Sequence, residues 1–196
     1  MKSLPVRSVL DVGSGGGVFL LLLPPTWRRV GVDSPSNAQV VRKLGMEGIG
    51  LDLEVEALPL ENNSFDLVTA LEVVEHVANK KHLLSEIYRV LKENGFLVMT
   101  TPDARSPFWW LRDHLFDAPG IGKFVFKMRT GRFPDRLDKH KGCLRENELE
   151  DLICSQRFSV ARRERFRIFQ PNDDIVLVGR KRSNQSEVAE KARFAN

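Results

Sequence analysis

The stretch VLDVGSGGGVFL, Val9 to Leu20, constrains the fold of this chain more than any other. A short apolar run carries the acid Asp11 near its end, glycines follow at Gly13, Gly15 and Gly17, and an apolar segment suited to opening a helix comes next. That order predicts a buried strand, a tight glycine turn and a helix start. Glycine admits positive φ and lets a ligand approach the backbone closely, while the first amides of a helix present free N–H groups. A polar ligand at the turn fits this chemistry, although glycine clusters also build ordinary loops. Val18 stands where a G-x-G-x-x-G dinucleotide fingerprint needs its third glycine, so the spacing is G-x-G-x-G. Asp11 is unusual at the interior end of a strand buried on both faces.

The length of 196 residues fits one domain with a genuine core. A net charge of +4 suits a nucleic-acid binder and a small-molecule enzyme alike, so charge decides nothing. Cys143 and Cys154 lack the spacing of a zinc cluster and suit a reducing cytoplasmic setting. The N-terminus reads as no signal peptide, and the apolar run from Val18 to Pro25 is far short of the ~20 residues of a transmembrane helix. Residues 181–196 read as a polar tail after a domain spanning 1–180.

Apolar strand-like segments recur at Arg29 to Asp33, Gly48 to Leu53, Phe65 to Leu71, Phe96 to Thr101, Ser159 to Ile168 and Ile175 to Gly179. Between them, Ala38 to Leu44, Lys80 to Lys92 and Glu146 to Ser155 carry helical periodicity, with Asn94-Gly95 expected to stop the second of these. The alternation predicts an α/β fold: a Rossmann-like, doubly wound, mostly parallel seven-stranded sheet with helices on both faces. Ligands of such sheets bind at the carboxyl ends of the strands, where the strand order reverses.

With Asp11-Val12-Gly13-Ser14-Gly15-Gly16-Gly17 in place, the chain resembles the class I S-adenosylmethionine-dependent methyltransferases, whose first motif is (D/E)-x-G-x-G-x-G. The resemblance reaches to about Leu152 and is nearest to the ubiquinone and menaquinone biosynthesis type. The run from Gly50 to Val77 is similar to D-x-x-x-x-L-P-F-x-x-x-S-F-D-x-V followed by E-V-x-E-H, and Leu84 to Gly95 to L-x-E-x-x-R-V-L-K-P-G-G, with Glu93-Asn94-Gly95 in place of the last three. By that resemblance the cofactor is S-adenosyl-L-methionine, held by Asp11, Gly13, Ser14 and Gly15, by Asp33 and Ser34 at the ribose, by Asp52 and Leu53 at the adenine, and by Leu71 and Glu72. Asp66 is then structural. For Asp33 the competing reading is a helix start, which Ser34-Pro35-Ser36 also serves.

Methyl transfer from a sulfonium chiefly requires alignment, with a base for poor nucleophiles. Glu72, Glu75 and His76 would converge if they lay on one helix, making His76 the candidate base. Their E-x-x-E-H pattern also resembles the metal site of small-RNA 2′-O-methyltransferases, in which His140 would supply the later histidine, and a solvated polar face competes with both readings. The segment from Ala104 to His140 interleaves Phe108, Trp109, Trp110, Phe116, Phe124, Phe126 and Phe133 with basic residues, which suits an acceptor-side cap or a small satellite core. Arg163, Arg165 and Arg167 alternate along one strand face, as a solvated stripe would.

The function expected is methyl transfer to a small-molecule or lipid-like acceptor. Metal-assisted RNA 2′-O-methylation and a non-catalytic cofactor-binding relative are the alternatives.

Overall fold

The computed structural model describes residues 6–104, 144–166 and 174–182. Among them, one seven-stranded sheet runs in the order β3-β2-β1-β4-β5-β7-β6. Its strands are β1 (Ser8–Val12), β2 (Arg28–Asp33), β3 (Glu47–Gly50), β4 (Phe65–Leu71), β5 (Leu91–Pro102), β6 (Phe158–Phe166) and β7 (Asp174–Lys181). The first five pair in parallel, and β7 lies antiparallel between β5 and β6. Helices α1 (Val18–Leu21), α2 (Pro35–Lys43), α3 (Lys80–Val90) and α4 (Glu146–Ser155) complete the described elements.

Both faces of the sheet are covered, as its apolar strands require. Val9 of β1 joins Leu20 of α1 and Val41 of α2 in one buried cluster. Its neighbours Leu10 and Val12 join Leu84 and Ile87 of α3 and Ile153 of α4 in the other. This alternation is the period-two geometry of a strand. Strand order reverses between β1 and β4, which opens a crevice at their carboxyl ends.

Three boundaries depart from the sequence reading. First, β3 stops at Gly50 instead of continuing to Leu53, because Asp52 turns the chain: its Oδ1 accepts from the Glu54 amide at 2.9 Å and its carbonyl from the Glu56 amide at 3.0 Å. Second, α3 ends at Val90, two residues early. Leu91 becomes extended to pair with Phe65, and the ladder resumes only at Leu67 with Phe96, so Asn94-Gly95 sits in an irregularity inside β5. Third, α2 begins at Pro35 instead of Ala38, because the fixed φ of proline suits the first helical turn, and α1 is a single turn that closes at Leu22, just ahead of Pro24-Pro25.

Family-like motifs away from the crevice have structural work. Asp66 Oδ2 accepts from the amides of Arg7 and Ser8, both at 3.0 Å, and from Ser8 Oγ at 2.8 Å, while Lys92 Nζ donates to Oδ1 at 2.8 Å. Burial pushes this carboxyl up, but the Lys92, Arg7 and Ser8 hydrogen bonds outweigh it and hold the pKa at about 2. In the E-x-x-R pair of α3, Arg89 donates to the carbonyls of Leu58 and Leu60 at 2.7 and 2.6 Å, and Glu86 accepts from the Leu58 amide at 2.9 Å. The pair itself closes at 2.7 Å. Arg89→Ala strands Glu86 and two carbonyls, so a loss of about 3 kcal/mol in unfolding free energy is expected from denaturant titration. An unchanged midpoint contradicts this.

The basic stripe on β6 is matched by acids. Arg163 meets Glu150 at 2.9 Å and Arg165 meets Glu146 at 2.5 Å, both from α4. Both arginines remain exposed, consistent with a solvated face, while Arg167 lies outside the described residues.

Candidate functional site

The glycine turn after β1 depends on glycine for its backbone shape. Gly13, Gly15 and Gly17 adopt φ of +72°, +52° and +77°. The amides of Gly13 and Ser14 both donate to the Val32 carbonyl at 2.8 and 3.1 Å, folding the turn over the end of β2. A Cβ on Gly13 would stand 2.3 Å from Val73 Cγ2, whereas nothing lies within 4 Å of that position on Gly15.

Asp33, the last residue of β2, ties this turn to α2. Its Oδ2 accepts from the Gly15 amide at 2.8 Å, and its Oδ1 accepts from the Ser34 amide and Asn37 Nδ2, both at 2.7 Å. Asp33 therefore braces the residue that starts α2 and the Asn37 side chain without capping the helix's own amides, and it keeps a place in the cleft. An ionised carboxylate has about four acceptor positions, so three bonds leave capacity for a ligand hydroxyl.

A cleft of about 570 Å³ opens at the strand ends, within the usual range for small-molecule sites. Of the residues singled out from sequence, Gly13, Asp33, Ser34, Asp52, Leu53, Glu72 and His76 line it. Leu71, the last residue of β4, pairs with Thr100 just behind Glu72. Ser14 is buried, with its Oγ 2.7 Å from where a Cβ on Gly31 would stand, so it packs the turn onto β2. Glu54 and Glu56 line the cleft as well. Glu54 accepts from the Ala78 amide with both oxygens, at 3.2 and 3.1 Å, and joins the two lips; Glu56 Oε1 accepts from the Asp52 amide at 3.1 Å.

Asp11 lies beneath the turn, 3% exposed, and accepts from Thr69 Oγ1 at 2.6 Å. Burial pushes its pKa up to about 6; the Thr69 bond opposes the rise and the charge of Asp33 adds to it. The folded value lies above the ordinary 3.8, so an ionised Asp11 costs stability as pH rises from about 4 to about 6. Asp11→Asn keeps an acceptor for Thr69 and removes that cost. A gain on the order of 2 kcal/mol at pH 7 that vanishes below about pH 4 is expected from denaturant titrations at the two pH values. A variant equally destabilised at both contradicts it.

The helix imagined over Glu72, Glu75 and His76 is absent; the segment is a turn. Glu72 takes φ +56° because its amide is held by Thr100, through the carbonyl and Oγ1, each at 3.1 Å. The His76 amide then closes on the Val73 carbonyl at 2.9 Å. Glu72 is accessible from the cleft, yet surrounding protein raises its pKa to about 7; a Thr100 hydrogen bond opposes this and the charges of Glu75 and Asp174 reinforce it. Glu75 turns inward, 1% exposed, and Thr101 Oγ1 donates to it at 3.1 Å. Burial raises its pKa as well. His76 Nε2 lies 3.8 Å from Glu75 Oε1 with its side chain 41% exposed. Among the described residues no three His, Cys, Asp or Glu side chains group as a metal site, and His140 lies outside them. The aromatic segment that was to cap the acceptor side also lies outside, from residue 105 to 143.

The arrangement fits a nucleoside carrying a charged tail: a turn with a bare glycine at Gly13, a carboxylate with spare acceptor capacity at Asp33, and apolar walls at Leu51 and Leu53. The fold is that of the Rossmann-like methyltransferases. A S-adenosylmethionine-dependent methyltransferase from Aquifex aeolicus superposes with a TM-score of 0.62 at 16% identity, over 89% of this chain and 81% of that one. The [4+2]-cyclase SpnF superposes with a TM-score of 0.66 at 18% identity, over 91% of this chain and 76% of that one. Fold alone therefore does not fix the reaction.

Residues 10–99 match the family model described as a methyltransferase domain. The ubiquinone biosynthesis O-methyltransferase of Bartonella quintana is 32% identical over 161 residues, covering 78% of this chain and 60% of that protein. Over these residues the chain is thus similar to methyltransferases. It spans between 31% and 60% of the length of the curated relatives it matches. Among the described residues no helix is long and apolar enough to cross a membrane.

Proposed function

We propose that this chain transfers a methyl group from S-adenosylmethionine to a small-molecule or lipid-like acceptor, with the cofactor seated in the cleft between β1 and β4. The observation that carries the reading is Asp33, whose carboxylate binds the glycine turn and the start of α2 while facing the cleft. The acceptor class is supported by the similarity to ubiquinone biosynthesis O-methyltransferases.

When bound, S-adenosylmethionine supplies a methyl group on a sulfonium centre. Gly13 presents backbone without a side chain to the cofactor's tail, and Asp33 accepts from the ribose hydroxyls. Asp52, with Oδ1 committed to the Glu54 amide, offers Oδ2 to the adenine amino group, and Leu53 packs beside the ring. Asp11, Ser14 and Gly15 shape the turn, and Ser34, Leu71 and Glu72 fix the strand ends. His76 takes the proton of a hydroxyl acceptor, and the nearby Glu75 carboxylate stabilises the imidazolium so formed.

The test is incubation of the purified chain with methyl-labelled cofactor and a cell extract separated into organic-soluble small molecules, RNA and protein. Label in the organic-soluble fraction is expected. Label confined to RNA or protein overturns the acceptor class, and no transfer to any fraction favours a non-catalytic relative.

A further inference from the structure

The two lips of the cleft are tied to each other by a side chain. One lip is the loop after β3, which carries Asp52 and Leu53; the other is the turn after β4, which carries Glu72, Val73, His76 and Val77. The Glu54 carboxylate reaches 24 residues along the chain and accepts from the Ala78 amide with both oxygens, at 3.2 and 3.1 Å. Glu54 is itself held. Asp52 Oδ1 accepts from its amide at 2.9 Å, and Glu56 Oε1 accepts from the Asp52 amide at 3.1 Å. A chain of hydrogen bonds thus runs from Asp52 through Glu54 to Ala78, the neighbour of Val77.

The loop after β3 has use for such a brace. Leu51 and Leu58 are buried and pin its two ends, but Val55 at the apex is 73% exposed, and Glu56 and Ala57 are exposed beside it. Packing therefore fixes the ends more firmly than the stretch between them. A loop ordered only when its ligand arrives loses binding free energy to that ordering, and a loop braced beforehand does not.

We propose that Glu54 is a positioning residue for the purine: by tying the loop after β3 to the turn after β4, it holds the Leu53 and Val77 walls in place before the adenine ring arrives. The proposal rests on the reading that the cleft is the cofactor's seat. Glu54 acts through its neighbours and touches no reacting atom. The net contribution of one hydrogen bond corresponds to between about twofold and tenfold in an equilibrium constant, and the half-buried setting of Glu54 puts the expectation at about fivefold. A brace of this kind has a signature. Its loss weakens adenosine as much as a ligand that also carries the homocysteine tail, because it acts at the adenine end alone.

The experiment is calorimetric titration of the full chain with adenosine and with S-adenosylhomocysteine, paired with thermal unfolding. Glu54→Ala removes the acceptor, and Ala78→Pro removes the donor while leaving Glu54 in place. Each is expected to weaken both ligands by the same factor of about five, and the double variant to bind no more than about twofold weaker than either single one. Glu54→Gln keeps an acceptor oxygen and should bind within about twofold of wild type. Wild-type affinity in Glu54→Ala, losses that multiply in the double variant, or a Glu54→Gln as weak as Glu54→Ala overturns the proposal. So does a loss confined to S-adenosylhomocysteine, which places the effect at the tail. Unfolding midpoints within about 4 °C of wild type keep the losses local, and a larger fall assigns them to the whole fold and overturns the proposal. Should Ala78→Pro fail to fold, Glu54→Ala against Glu54→Gln decides. If Asp33→Ala binds both ligands as wild type does, the seat is wrong, a failure distinct from the loss of the brace.

Discussion

Asp33→Ala is expected to weaken S-adenosylhomocysteine binding at least a hundredfold while the protein stays folded. Alanine removes the acceptor for the Gly15 amide, the Ser34 amide and Asn37 Nδ2, so the glycine turn and the start of α2 lose the group that locks them together. These are charge-assisted bonds, but Asp33 is only partly buried, so water replaces much of what is lost in the free protein. A stability cost of about 1–2 kcal/mol follows. Binding suffers more. The ribose loses its acceptor, and the cofactor must order a turn that was previously fixed. Together these forfeit about 3 kcal/mol, or roughly two decades in affinity. Calorimetric titration paired with thermal unfolding separates the two effects. A folded variant with unchanged affinity removes Asp33 from the site.

Gly13→Ala produces the largest expected loss of stability. The residue sits at φ +72°, which costs an alanine about 1–2 kcal/mol relative to glycine. The new methyl would also lie 2.3 Å from Val73 Cγ2 and 3.2 Å from Cγ1. Val73 is buried, 6% exposed, at the start of the turn that carries His76, so it yields only by disturbing the opposite wall of the cleft. A total of about 3–4 kcal/mol is expected from denaturant unfolding, with cofactor binding lost. Val73→Ala removes both clashing methyls. In the double variant the two costs should therefore combine to at least about 1 kcal/mol less than their sum. Strict additivity would mean that the contact does not govern the turn.

Sequence patterning recovers most of the architecture because its signals are local. Apolar runs of strand length mark the seven strands, and alternation along β1 sends Val9 to one helical layer and Leu10 and Val12 to the other. The glycine spacing anticipates the positive φ values, and acids at successive strand ends anticipate that Asp33, Asp52 and Glu72 share one cleft. What escapes depends on partners distant in sequence. Val73, Val74 and Val77 suit a helix by spacing, but Thr100, 28 residues away, holds the Glu72 amide and forces a turn. Leu91 extends the last turn of α3 in any periodic reading, until Phe65 claims it for the sheet. Asp11 belongs to the glycine motif by sequence, and only its burial against Thr69 assigns it to the turn's foundation. Glu56 looks like an ordinary surface acid after a strand; the Asp52 turn makes it and Glu54 walls of the site.

The most direct test is a crystal structure of the chain grown with saturating S-adenosylhomocysteine. Density is expected in the cleft with the ribose hydroxyls on Asp33, the adenine beside Leu53 with its amino group on Asp52, and the homocysteine tail over Gly13. Ligand bound elsewhere, or an adenosine placed away from Asp33 and Asp52, contradicts it.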